Sequence, residues 1–165
     1  VARRGRLGFN MPILYSGNSR KTALEQELGA QFRSLDQLLA EADFVCLVVP
    51  LSDKTRHLIS TRELALMKPS AILINISRGP VVDEPALVEA LQTQRIRGAG
   101  LDVYEKEPLA ESPLFQLSNA VTLPHIGSAT DETREAMANR ALDNLRSALL
   151  GQRPQDLVNP QVWKG

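Results

Sequence analysis

Three residues far apart in the chain carry complementary chemistry. They are Arg78 in Ser77-Arg-Gly79, Glu107 in Glu105-Lys-Glu-Pro108, and His125 in Pro124-His-Ile-Gly-Ser128. Together they suit reduction of a 2-oxo acid. Hydride arriving at a carbonyl carbon leaves negative charge on oxygen, and a protonated histidine donates a proton to that oxygen. A neighbouring glutamate favours the imidazolium and orients the ring. An arginine fork holds the substrate carboxylate and polarises the carbonyl, which a planar double donor does well. Spacing alone leaves plainer readings open: Arg78 as a solvated turn cation, His125 as a structural histidine, Glu107 as a loop charge before Pro108.

Whether the three meet depends on the elements that carry them. Short apolar runs at 11–15, 44–49, 70–76, 98–103 and 119–123 read as strands. Helices are expected between them. One over 22–28 stops at Gly29. One from Ser34 to Glu41 places Leu35, Leu38 and Leu39 on one face. One over 60–67 has a capping box of Ser60 and Glu63. Another is capped by Asp83 and runs to Leu91, and a long one runs from Thr130 to Leu150, with Ala136, Ala141, Leu142, Leu145 and Leu149 as a core stripe. Residues 1–10 read as the last turns of a helix.

Strands apolar on both faces, alternating with helices, indicate a parallel sheet covered on each side, hence a doubly wound α/β fold. Ligands in such sheets sit at the carboxyl ends of the strands. Those ends deliver residues 16–21, 50–55, Ser77-Arg-Gly79, Asp102 with 105–108, and 124–130. Arg78, Glu107 and His125 are therefore expected on one rim.

Bulk properties narrow the function. The 165 residues suit one domain with a sizeable core, and 43% hydrophobic with 23% charged residues is ordinary for a globular protein. Nineteen basic residues balance nineteen acidic ones, so no electrostatic argument favours nucleic acid or an anionic membrane as partner. The only cysteine, Cys46, reads as a small buried hydrophobe. It permits no disulfide within the chain, which fits a reducing compartment. No apolar run reaches membrane-span length, and no residues are assigned to a metal.

The wording of four stretches is more specific than their spacing. Val49-Pro-Leu-Ser-Asp-Lys-Thr-Arg-His-Leu-Ile59, Met67-Lys-Pro-Ser-Ala-Ile-Leu-Ile-Asn-Ile-Ser-Arg-Gly-Pro-Val-Val-Asp-Glu84, Gly98-Ala-Gly-Leu-Asp-Val-Tyr-Glu-Lys-Glu-Pro108 and Leu123-Pro-His-Ile-Gly-Ser-Ala-Thr130 occur in that order. On them the chain resembles the D-2-hydroxyacid dehydrogenases, most closely their glyoxylate/hydroxypyruvate reductase and 2-ketogluconate reductase branch. The resemblance implies a Rossmann-like NAD(P)-binding domain over 1–150 and a tail, 151–165, that returns to a substrate domain. Position by position, it implies that Arg78 binds the substrate carboxylate and carbonyl, that Glu107 rather than its near neighbour Glu105 pairs with the histidine, and that His125 is the acid/base. It places Asp102 near the nicotinamide carboxamide. Val49, Pro50, Thr55, Ile76, Ser77, Gly127 and Ser128 become cofactor-lining positions. His57 is expected to be a surface or helix-approach residue. The resemblance also implies a cytoplasmic homodimer joined through the nucleotide-binding domain.

The chain departs from the family in one respect: no G-x-G-x-x-G is present. Gly5-Arg-Leu-Gly8 has the wrong pattern, and Gly98-Ala-Gly100 is followed by no helix N-terminus to cradle a pyrophosphate. The expectation is a fragment lacking the first strand, the glycine-rich loop and the substrate domain, with little activity alone. An NAD-type site carries an acid at the end of the second strand. Residues 11–24 contain no Asp or Glu, and Ser16, Asn18, Ser19, Arg20 and Lys21 suit a 2′-phosphate instead. NADP is the expected cofactor, with NAD as the alternative. The leading functional expectation is an NADPH-linked reductase of glyoxylate, hydroxypyruvate or 2-ketogluconate. The alternatives are another family member, such as a phosphoglycerate or phosphonate dehydrogenase, or a nucleotide-sensing co-repressor on the same fold.

Overall fold

Capping side chains mark most helix starts in the computed structural model of this chain, which describes residues 1–163. The elements are α1 (Ala2–Phe9), β1 (Leu14–Tyr15), α2 (Thr22–Leu28), β2 (Gln31–Phe32), α3 (Leu35–Glu41), β3 (Phe44–Leu47), α4 (Thr61–Leu66), β4 (Ile72–Asn75), α5 (Glu84–Gln92), β5 (Gly98–Leu101), β6 (Ala120–Thr122) and α6 (Asp131–Leu149). Single 3₁₀ turns occupy Gly79–Val81, Pro113–Gln116 and Pro160–Val162.

The local chemistry behind the helix starts is visible. Ser34 accepts the Gln37 N–H at 3.3 Å, and Gln37 accepts the Ser34 N–H at 3.1 Å, closing a capping box. Glu63 accepts the N–H and hydroxyl of Ser60 at 3.1 and 2.6 Å. Burial pushes the Glu63 carboxyl up, but these bonds and the Arg62 guanidinium outweigh it and hold its pKa below the usual value. Asp83 accepts the Ala86 N–H at 3.1 Å. Helix α2 ends at Gly29 with φ of 64°, where glycine meets no Cβ penalty.

The described residues form two compact units, Val1–Pro124 and a second one from His125 onward. In the first, all strand pairs are parallel: β1 with β2 in a small sheet, and β3-β4-β5-β6 in a four-stranded one. The register aligns Val45, Leu73, Ala99 and Ala120 in one row, and Leu47, Asn75, Leu101 and Thr122 in a second row on the same face. Strands β3 to β5 bury this face with Leu39 of α3, Leu64 of α4 and Leu87 and Leu91 of α5.

The parallel α/β architecture is as expected, but helical cover of the four-stranded sheet is uneven. Its strands follow one another in a single direction, so crossovers of one hand place their helices on one face. On the opposite face Phe44 and Val121 are 53% and 64% exposed, and Cys46 is half-buried rather than buried. Burial pushes the Cys46 thiol up, away from thiolate chemistry.

The strands are shorter than their apolar runs. Pairing of β3 with β4 stops at Leu47↔Asn75, and the apolar residues beyond, Val48 and Ile76, belong to the diverging loops. Strand β2 was not anticipated, because two residues are too few for a hydrophobic period.

In the second unit, Thr130 caps α6 by accepting the Thr133 N–H at 3.2 Å. Arg140 and Asn144, one turn apart, both bind Asp156 (Arg140 Nη2 and Asn144 Nδ2 each at 2.7 Å), fastening the following segment to the helix. The expected core stripe on α6 is not found: the helix has no buried residue, and Leu142, Leu145 and Leu149 are 61%, 56% and 78% exposed. One helix and a short tail cannot bury such a stripe within their own unit. The expected tail over 151–165 is described to Trp163, and its last two residues lie outside the described residues. Among the described residues, no helix is long and apolar enough to cross a membrane and no group of His, Cys, Asp and Glu is arranged to hold a metal.

One glycine joins the crossovers after β4 and β5. A Cβ at Gly79 would lie 1.8 Å from the carbonyl carbon and oxygen of Tyr104 and 2.5 Å from the Glu105 nitrogen. Any side chain there must drive two backbones apart. Gly79→Ala is expected to lose at least about 1–3 kcal/mol of stability, as overpacking of a close contact does. Urea unfolding of the full-length protein checks this, and an unchanged midpoint would refute it.

Candidate functional site

The carboxyl ends of β3, β4 and β5 lie side by side, and the turn after β4 is the most constrained part of that rim. Asn75 ends the strand with 1% of its surface exposed. Its Oδ1 accepts the Ser77 N–H at 3.1 Å and the Ser77 hydroxyl at 2.8 Å, while its Nδ2 donates to the Arg78 carbonyl at 3.1 Å. The Asp102 N–H donates to the Asn75 carbonyl at 3.0 Å, tying the turn to the end of β5. Ser77 is buried in this network, whereas Ile76 (48% exposed) and Arg78 are exposed. Arg78 Nη1 donates to the Ser77 carbonyl at 2.7 Å, which sets the direction in which the side chain leaves the turn. Asn75 was absent from the sequence-based candidates. A lone amide closing an otherwise aliphatic strand was the available signal, because buried polar groups need partners.

After β5, Asp102 is 7% exposed and Tyr104 is buried. The Tyr104 hydroxyl donates to the carbonyls of Leu123 and Leu101 at 2.8 and 3.2 Å. Burial raises its pKa, keeping it protonated as a donor. The Tyr104 N–H donates to Glu107 Oε1 at 2.9 Å. The two glutamates of this loop therefore differ in environment. Glu107 is held by its own loop's backbone. Glu105 reaches His57, with Oε1 2.7 Å from Nε2. His57 lies at the surface as expected, its side chain 42% exposed, and there it belongs to an acid-linked cluster. No sequence period links residues so far apart.

The loop after β3 carries Val49, Pro50 and Thr55. The Thr55 hydroxyl accepts the Ser52 N–H at 2.8 Å and donates to the Pro50 carbonyl at 2.7 Å, so it shapes the loop.

The loop after β1 belongs to the smaller sheet. Ser16, Asn18, Ser19, Arg20 and Lys21 are all exposed. One acid reaches them from beyond the acid-free stretch. Glu25, in the first turn of α2, takes Arg20 bidentately at 3.0 and 2.7 Å and also accepts the Tyr15 hydroxyl. Arg20, then Tyr15, hold the Glu25 carboxyl below its usual pKa. Lys21 donates from Nζ to Ser19 Oγ at 3.2 Å. The loop is therefore less cationic than its sequence suggests.

His125, Gly127 and Ser128 open the second unit, ahead of the Thr130 cap. His125 is exposed with φ of 54°. Left-handed backbone is uncommon outside glycine, and histidine is among the types enriched there. The structure thus brings Val49, Pro50, Thr55, Ile76, Ser77, Arg78, Asp102 and Glu107 to neighbouring strand ends. It places Ser16–Lys21 after a different sheet, and His125, Gly127 and Ser128 in a different unit.

The chain is similar to several known proteins. The chain is 56% identical over 165 residues to a glyoxylate/hydroxypyruvate reductase B of Pectobacterium carotovorum, covering 99% of the chain and 52% of that relative. The chain spans about half the length of the curated relatives it matches. Among solved structures, a glyoxylate reductase from Paecilomyes thermophila superposes with a TM-score of 0.85 at 42% identity, over 97% of this chain and 48% of that one. An NADPH-dependent glyoxylate/hydroxypyruvate reductase from Sinorhizobium meliloti, solved with NADP and malonate, gives 0.81 at 35% identity over 88% and 45%. The family model for the NAD binding domain of D-isomer specific 2-hydroxyacid dehydrogenases matches residues 1–127, and the chain belongs to that family.

Proposed function

We propose that this chain is the nucleotide-binding and catalytic part of an NADPH-dependent reductase that converts a small 2-oxo acid, of the glyoxylate, hydroxypyruvate or 2-ketogluconate class, to the D-2-hydroxy acid. The observation that carries this reading is the turn after β4, where a buried amide fixes an exposed arginine beside the loop of Glu107. Membership of the family and the names of the similar proteins support it.

Each side chain has a role that follows from its chemistry. Arg78 binds the substrate carboxylate through its fork and draws electron density from the adjacent carbonyl. His125 donates the proton that the carbonyl oxygen takes up on reduction. Glu107 is assigned to support the protonated imidazole. The nicotinamide cofactor, when bound, supplies the hydride. Its fit to the residues present is partial. Exposed hydroxyl, amide and ammonium groups at Ser16, Asn18, Ser19 and Lys21 suit a 2′-phosphate, whereas these 165 residues contain no glycine-rich pyrophosphate cradle. Val49, Pro50, Thr55, Ile76, Ser77, Asp102, Gly127 and Ser128 are proposed to line the cofactor. Residues 1–150 are proposed as the nucleotide-binding part and 151–165 as a tail leading to a substrate domain. A cytoplasmic homodimer completes the proposal.

The full-length protein is expected to oxidise NADPH with glyoxylate or hydroxypyruvate, and absence of turnover with these and 2-ketogluconate would refute the assignment. Arg78→Lys keeps the charge and loses the fork. A lost charge-assisted bond of about 1.5–3 kcal/mol corresponds to a fall in kcat/KM of roughly 10- to 150-fold. Steady-state kinetics near wild type would return Arg78 to an incidental surface cation.

Cofactor preference gives a separate check. Glu25 competes with a 2′-phosphate for Arg20. Glu25→Gln is expected to raise the ratio of kcat/KM for NADPH over NADH, and an unchanged or lower ratio would show that Arg20 does not meet the cofactor.

A further inference from the structure

His57 contacts three segments of the first unit at once. Its backbone N–H donates to the Pro80 carbonyl at 2.8 Å, in the turn that follows Arg78. Its Nε2 lies 2.7 Å from Glu105 Oε1, and its Nδ1 lies 4.0 Å from Asp83 Oδ2. The residue has φ of 49°, left-handed backbone that turns the chain into the Leu58–Ile59 segment. Ile59 then runs alongside Val82, its N–H donating to the Val81 carbonyl at 3.2 Å and its carbonyl accepting the Asp83 N–H at 2.9 Å.

Glu105 is also held from the far side. Its N–H donates to Glu84 Oε2 at 3.2 Å. Glu105 stands one peptide from Tyr104, whose N–H holds Glu107, and the Tyr104–Glu105 peptide is the one Gly79 abuts. His57 therefore bridges the two, its backbone N–H on the turn that follows Arg78 and its imidazole on the loop that holds Glu107. Neither the mechanism above nor the resemblance assigns it a part.

We propose that His57 is a positioning residue, clipping Glu105 to the turn at Gly79–Val81 so that Arg78 and Glu107 keep a fixed separation. This deepens the reading of Arg78 and Glu107 given above and rests on it. The imidazole touches no reacting atom in this role. It supplies an N–H donor to Glu105, while the His57 backbone N–H stays on the turn and Glu84 holds the Glu105 backbone.

The test uses the full-length protein and the variants His57→Leu, His57→Gln and Glu105→Leu. Loss of a positioning contact is felt mainly by the substrate that needs both groups. His57→Leu is expected to lower kcat/KM for the 2-oxo acid roughly five- to tenfold with the KM for NADPH little changed, since small misplacements of a binding group are costly. Its pH profile should keep the wild-type shape. His57→Gln retains an N–H donor and should recover to within about threefold of wild type. Glu105→Leu should mimic His57→Leu, and the double variant should be no worse than either single one.

Hydrogen exchange gives a readout independent of activity. The amides of Tyr104 and Glu105 should exchange faster in His57→Leu and in Glu105→Leu, while those of β4 stay protected. Unchanged exchange at Tyr104 and Glu105 overturns the proposal, even in a protein that turns over no 2-oxo acid. So does a lost limb of the pH profile in His57→Leu, which would make the imidazole an acid or base, and so does failure of the glutamine variant to recover. If wild type has no 2-oxo acid activity but the exchange change is present, the clip stands and the functional assignment falls.

Discussion

Two crossovers of the sheet can touch only because residue 79 has no side chain. The turn after β4 and the loop after β5 approach until the Cα of Gly79 rests on the Tyr104–Glu105 peptide. Most of what is distinctive about the rim depends on that approach. Arg78 leaves the chain one residue before the contact and Glu107 is held two residues after it. The Asn75 network and the backbone bond from Asp102 fix the near side, and the His57–Glu105 pair fixes the far side. Two groups on separate loops thus behave as though mounted on one piece.

The architecture was legible in the sequence because it rests on repeating local signals. Caps such as Ser34, Asp83 and Thr130, Gly29 as a stop, and the apolar runs of the four-stranded sheet recur in the structure at or within two residues of their expected places, while the run at 11–15 keeps only Leu14–Tyr15 as strand. Strand ends were over-read, since hydrophobicity continues past the last ladder bond at Val48 and Ile76. Which element covers each face of the four-stranded sheet was not legible, because an apolar run shows that a strand wants cover, not which element supplies it. The same limit explains α6, whose stripe is present in the sequence and exposed in the structure.

The site divided along similar lines. Residues that stand at a strand end, such as Arg78 and Asp102, follow from topology once the sheet is parallel. Residues that act through a partner far along the chain do not. Glu25 lies one residue beyond the acid-free stretch 11–24, and its carboxylate reaches back onto Arg20. His57 lies at the surface as expected, but its acid partner Glu105 could not be read from its own segment. Asn75 was hidden inside an apolar word, although a buried amide that meets all its partners is a constraint comparable to a tight turn.

The Asn75 side chain has a consequence for how much variation this turn can bear. It accepts twice through its oxygen and donates once through its nitrogen in a space closed to water. Aspartate would match the shape but set a negative charge against the Arg78 carbonyl. Leucine would leave two donors and one acceptor stranded. Glutamine would carry one methylene too many. None of these three keeps every bond, so the buried amide, more than the exposed arginine it serves, sets how narrowly the geometry of this rim is specified.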